Sequence, residues 1–129
     1  MKKLLGFSIF LVFVLIASLT AEAKVTLPAI FSDNMVLQQN TQVNVWGKAA
    51  PGEKVTVKAS WLDKAVTAKA AANGKWTVKL KTPKAITNQS VTVSGENSIT
   101  INNVLIGEVW LCTGQSNMEY PVSKHPDKK

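Results

Sequence analysis

Gly114-Gln115-Ser116-Asn117-Met118 follows directly on the apolar run Val109-Trp110-Leu111-Cys112. A serine on a tight turn after a buried strand holds its oxygen exposed, which suits a nucleophile. The same turn can aim backbone N–H groups at a developing oxyanion. The hydroxyl still needs a neighbouring base to take its proton. His125 is the only histidine, and it stands in the polar tail Ser123-Lys124-His125-Pro126-Asp127, which reads as a solvated segment. Taken alone, Ser116 could equally be the N-cap of a helix. The residues therefore describe the front of a serine hydrolase whose base lies elsewhere.

The elements that must carry this serine begin with an export signal. Lys2 and Lys3 precede an apolar run from Leu4 to Leu19, and Ala21-Glu22-Ala23 supplies the small-x-small cleavage pattern. Sixteen apolar residues fall short of the roughly 20 that span a bilayer. Cleavage is expected after Ala23, leaving a secreted or periplasmic chain that begins at Lys24 and no longer touches a membrane. Cys112 is the only cysteine, so no intrachain disulfide can form. Its place at the end of an apolar run suggests a small buried hydrophobe. All fifteen basic residues are lysines, and the net charge is +7. They are scattered singly, which suits solvated faces and guarded sheet edges better than the clustered arginines of nucleic-acid binders.

From Lys24 to about Val104 the apolar period is two. Val43 and Val45, then Val55, Val57 and Ala59, then Trp76, Val78 and Leu80 alternate with polar neighbours, and Val91, Val93, Ile99 and Ile101 follow. This is the pattern of antiparallel strands with one wet face. Pro51-Gly52 suits a type II turn, Asn73-Gly74 a hairpin, and Gly95-Glu96-Asn97 another strand connection. The alanine-rich Lys64 to Ala72 reads as a strand. About seven short strands imply an antiparallel β-sandwich over residues 24–104. Trp46, Trp76 and Trp110 read as core residues, while Trp61 near a strand end is a candidate for exposure and sugar contact.

Near Leu105 the alternation gives way to the nearly continuous apolar stretch Val104 to Leu111. Such a run reads as a strand buried on both faces of a parallel α/β sheet. Residues 105–129 are then the truncated start of a second domain, with the tail from Leu105 poorly ordered without the sheet it belongs to.

Several blocks resemble the sialate O-acetylesterase family. They are Leu27-Pro28-Ala29-Ile30-Phe31-Ser32-Asp33-Asn34-Met35-Val36-Leu37-Gln38-Gln39, Val45-Trp46-Gly47 with Pro51-Gly52, Gly74-Lys75-Trp76, and Ile106-Gly107-Glu108-Val109-Trp110-Leu111-Cys112-Thr113-Gly114-Gln115-Ser116-Asn117-Met118-Glu119. The resemblance implies an SGNH-type serine esterase that removes acetyl groups from sugars or sialic acid without a metal or organic cofactor. It makes Ser116 the nucleophile, with its own N–H as one oxyanion donor, and places Gln115 and Asn117 beside the substrate. The family's later glycine, asparagine and Asp-x-x-His blocks are not in these 129 residues, so the chain by itself is expected to be inactive. The competing reading is a non-catalytic β-sandwich that binds carbohydrate or serves adhesion, with Ser116 as a helix cap.

Overall fold

A computed structural model describes residues 24–119 and 121–124; the segment expected to be an export signal, Tyr120 and His125 lie outside the described residues. Alternating valines, threonines and lysines cannot form an amphipathic helix, but they give strands one apolar face. Seven strands result: β1 (Val36–Gln38), β2 (Gln42–Lys48), β3 (Lys54–Ala59), β4 (Val66–Lys69), β5 (Lys75–Lys81), β6 (Ile86–Ser94) and β7 (Ser98–Gly107). Among the described residues the helical content is one turn, α1 (Ser116–Glu119), and a 3₁₀ turn at Val122–Lys124. The expected mainly β class and the strand within Lys64–Ala72 are both present.

The strands form two sheets, one ordered β1-β7-β6-β3-β4 and the other β2-β5. Their apolar faces share one core, in which Val45, Val55, Val57, Leu80, Val91, Val93 and Val104 are fully buried. Burying such side chains supplies most of the driving force, at about 25 cal/mol per Å² of apolar surface removed from water. Trp76 is buried as expected, its ring packed over Gly47.

Three features depart from the sequence reading. First, the architecture is not wholly antiparallel: β1 pairs parallel to β7, with Val36 opposite Leu105 and Gln38 opposite Gly107. Residues so far apart in sequence are not joined by a hairpin, so no tight turn dictates their direction. Second, β7 continues to Gly107, three residues beyond the expected boundary at 104, and Ile106 is buried against β1 and β6. The apolar run thus does enter a parallel pairing up to Gly107, but inside this sheet. Third, Asn73-Gly74 makes its turn, with Gly74 at φ 73° and its N–H donating to the Ala71 carbonyl at 2.9 Å. It joins β4 to β5, which lie in different sheets, so it is not a hairpin. Pro51-Gly52 likewise crosses between sheets, with Gly52 at φ 79° and Glu53 N donating to Ala50 O at 3.0 Å. The tight hairpin is β6–β7, closed by Gly95-Glu96-Asn97 with Ser94 opposite Ser98, while β3 and β4 pair antiparallel across a longer loop.

Two tryptophans also move. Trp46 is 43% exposed on the outer side of β2, and Trp110 is 82% exposed. Trp46 has the strand parity of the exposed Asn44 and Lys48, so its alternation places it outside. Trp110 follows the last paired residue of β7 and has no sheet to pack on. Trp61 is half-buried and donates its indole N–H to the Lys81 carbonyl at 2.9 Å, so it pins a loop to β5.

Candidate functional site

The two longest motif blocks lie far apart in sequence and side by side in space. Asp33 and Asn34 begin the contact: Asp33 Oδ1 accepts the Asn102 N–H at 2.6 Å, and Asn34 donates its N–H to Asn102 O at 3.1 Å. Asn34 and Asn103 both have positive φ, at 68° and 50°, and Asn103 Nδ2 donates to Asn34 Oδ1 at 2.7 Å. Asparagine tolerates this left-handed backbone better than most residues. Leu105 N then donates to Met35 O at 3.0 Å, the β1–β7 ladder follows, and Gln39 N donates to Gly107 O at 2.8 Å.

The row ends on side chains. Gln38 Nε2 donates to Glu108 Oε2 at 2.9 Å, and Gln39 Nε2 donates to Glu108 Oε1 at 2.6 Å. Each glutamine also accepts through its amide oxygen: Gln38 Oε1 from Val109 N at 2.8 Å, and Gln39 Oε1 from Ala85 N at 2.7 Å. A primary amide offers both functions, and the two jobs fix which way each one points. Thr82, the buried polar residue, donates its hydroxyl to the Gln38 carbonyl at 2.8 Å and ties this end of β1 to the end of β5. Gln38 and Gln39 therefore clamp Glu108 and Val109, the first residues beyond β7 on the way to Ser116. Sequence reasoning placed these glutamines in a motif but gave them no task. The readable signal was a glutamate interrupting the apolar run Ile106 to Leu111.

The clamp favours the ionised form of Glu108. Hydrogen bonds from Gln38 first, and then Gln39, favour the carboxylate and hold its pKa below the ordinary 4.5. A depressed carboxyl pKa means the bonds are fully made above the ordinary value and are lost as pH falls through the folded one. Carboxyl carbon chemical shifts should show Glu108 titrating below 4.5. The variant Q38L/Q39L should bring its midpoint up toward that value. An unchanged midpoint in the variant would show that these amides do not hold the carboxylate.

Beyond the clamp the chain leaves the sandwich. Val109, Trp110 and Leu111 are 53%, 82% and 90% exposed, and Cys112 is exposed too, contrary to its expected burial. Gln115 is exposed, and Ser116 opens α1, whose turn is marked by Met118 N donating to Gln115 O at 3.0 Å. The side chains of Ser116 and Asn117 lie outside the description, as does all of His125. Gln115, Ser116 and Asn117 are adjacent by sequence, and no contact of theirs with a base is among the described features. Among the described residues, no three His, Cys, Asp or Glu side chains come together as a metal site would require.

The chain is 31% identical over 107 residues to a sialate O-acetylesterase of Mus musculus, a match covering 74% of this chain and 20% of that protein. It is similar to the crystal structure of a novel carbohydrate acetylesterase from Xanthomonas citri, with a TM-score of 0.70 and 35% identity over 81% of this chain and 24% of the other. The chain thus spans about a fifth to a quarter of the length of these relatives. No family model matches it.

Proposed function

This chain is a relative of the acetylesterases, and from that premise we propose that it is the amino-terminal part of an exported carbohydrate O-acetylesterase using Ser116 as its nucleophile. The observation that carries the reading is the row of bonds joining the Asp33 to Gln39 block to β7, Glu108 and Val109. Such a row gives both motif blocks a shared purpose, which is to fix where the strand bearing the Gly-Gln-Ser-Asn turn leaves the sandwich. In this reading residues 24–107 are a supporting β-module, and 108–129 open an SGNH-type catalytic domain. The exposed Val109-Trp110-Leu111 run is the domain's first buried strand, since contiguous exposed apolar surface marks a face that another element covers.

The chemistry follows from what a serine ester hydrolase must do. The Ser116 hydroxyl attacks the acetyl carbonyl while a base takes its proton, and the sugar alcohol leaves. The Ser116 backbone N–H would donate to the oxyanion, and water then releases acetate. Base and further oxyanion donors come from polypeptide beyond these 129 residues. Gln115 and Asn117 flank the substrate. The substrate is an O-acetylated glycan or sialic acid, and export is supported by the Lys2 to Ala23 signal pattern. The test is acetate release from an O-acetylated glycan by the protein as its source exports it, with an N-acetylated sugar as control. Release from the ester alone is expected; no release from it would refute the proposal.

A further inference from the structure

The outer face of the β2–β5 sheet carries a feature that ester hydrolysis does not use. Gln42, Asn44, Trp46 and Lys48 on β2 and Lys75, Thr77, Lys79 and Lys81 on β5 all point away from the core. The register sets Lys48 directly opposite Lys75, and Lys79 and Lys81 follow along the same strand. Residues two apart on a strand repeat at about 7 Å. Like charges directly opposite one another on a sheet destabilise it, and neither strand contains an acidic residue to relieve them. None of these lysines is in an ion pair among the described residues.

Trp46 lies in this cationic face, opposite Thr77. Phe31 meets its ring edge-on at a centroid separation of 4.7 Å and an interplanar angle of 80°, which holds the indole in place while leaving it 43% exposed. Beside it is a groove of about 840 Å³, bounded by Leu27 and Pro28 on one side and by Trp46, Lys48, Lys75 and Trp76 on the other. That volume falls within the range of small-ligand sites. Trp76 is buried, and among the described residues its indole N–H has no hydrogen-bond partner.

We propose that this face is a binding site for an acidic glycan, a chain of carboxylated sugars. A sugar ring would lay its apolar C–H surface on Trp46, and its carboxylates would meet Lys48, Lys75 and the lysines beyond. Lysine point charges suit scattered carboxylates, whereas phosphate recognition favours the bidentate arginine that the chain lacks. The face runs from the groove to the Gln42–Lys81 end, where Gln39, Thr82 and Glu108 lie. A polymer held along it is directed toward Glu108 and the segment that leads to Ser116. The site is independent of the serine, so binding is measurable without turnover.

The experiment is titration of the protein with polygalacturonate oligomers, with uncharged dextran oligomers and a single-stranded oligothymidylate of equal charge as comparisons. Polygalacturonate should bind, and more weakly as salt rises, while dextran should not. The variant K48Q/K75Q and the variant W46A should each weaken binding at least about tenfold, and S116A should leave it unchanged. Lys48 and Lys75 are exposed, so their variant keeps the test open if thermal unfolding shows W46A to be misfolded. Absence of polygalacturonate binding would overturn the inference. So would equal binding of dextran, tighter binding of the oligothymidylate, or binding undiminished in K48Q/K75Q.

Discussion

Under the proposed function, acetate release by the protein from its source should fall by on the order of 10⁶-fold when Ser116 is replaced by alanine, the scale on which subtilisin responds to losing its serine or histidine. The expectation rests on the division of labour in a serine hydrolase. The base and the oxyanion donors act on an alkoxide that only the serine can provide, so removing it disables them all at once. Ser116 follows the last residue of β7 by nine residues, so the variant should unfold at the temperature of the parent. A variant equally stable and still active would remove Ser116 from the mechanism. The S116A protein should keep the substrate affinity of the parent, because the loss falls on the reacting atom.

Gly47→Ala should destabilise the sandwich strongly, although it adds a single methyl. A Cβ there would collide with the Thr26 carbonyl oxygen and lie 2.9 Å from Trp76 Cζ2. Neither neighbour can give way. Thr26 is held to Lys48 by a pair of backbone bonds of 2.8 and 3.0 Å, and Trp76 is buried in the core. Overpacking of this kind costs about 1–3 kcal/mol, and two immovable neighbours put this site at the upper end. For a domain near 100 residues each kcal/mol lowers the melting temperature by about 4–8 °C. A thermal melt of G47A within about 2 °C of the parent would show that one of the two contacts relaxes freely. Gly107 is the natural control, since nothing lies within 4 Å of a Cβ added there.

These two sites show what the sequence makes legible. The alternation in Lys75 to Lys81 announces a strand, and the structure buries Trp76, Val78 and Leu80 as that period requires. The Val45-Trp46-Gly47 motif was readable as a resemblance, but its physical cause was not. Gly47 is demanded by a carbonyl and a tryptophan brought to it by two other segments, and long-range packing leaves no trace in local period. The same limit hid the parallel pairing of β1 with β7. Three residues, Val36 to Gln38, give too short a pattern to assign a direction, and their partner lies about 70 residues on. Trp110 shows the converse error. An apolar run after Val104 promised burial, but burial needs a facing surface, and after Gly107 the described chain supplies none.

The candidate site was legible as chemistry more than as geometry. Ser116 was read as a candidate nucleophile because a turn after an apolar run suits an exposed hydroxyl, and its side chain lies outside the described residues. The glutamine pair beside the segment leading to it was invisible as function, since Gln38 and Gln39 contribute through partners found only in the folded state. Their contact with Glu108 and Val109 joins two separate blocks of the chain in a single row of bonds.

The most direct measurement is covalent trapping. The protein exported by its source is treated with a serine-directed fluorophosphonate, digested, and the modified peptide is sequenced by mass spectrometry. One adduct is expected, on Ser116, blocked when an O-acetylated substrate is present in excess. An adduct on another serine, or active enzyme that takes no label on Ser116, would contradict it.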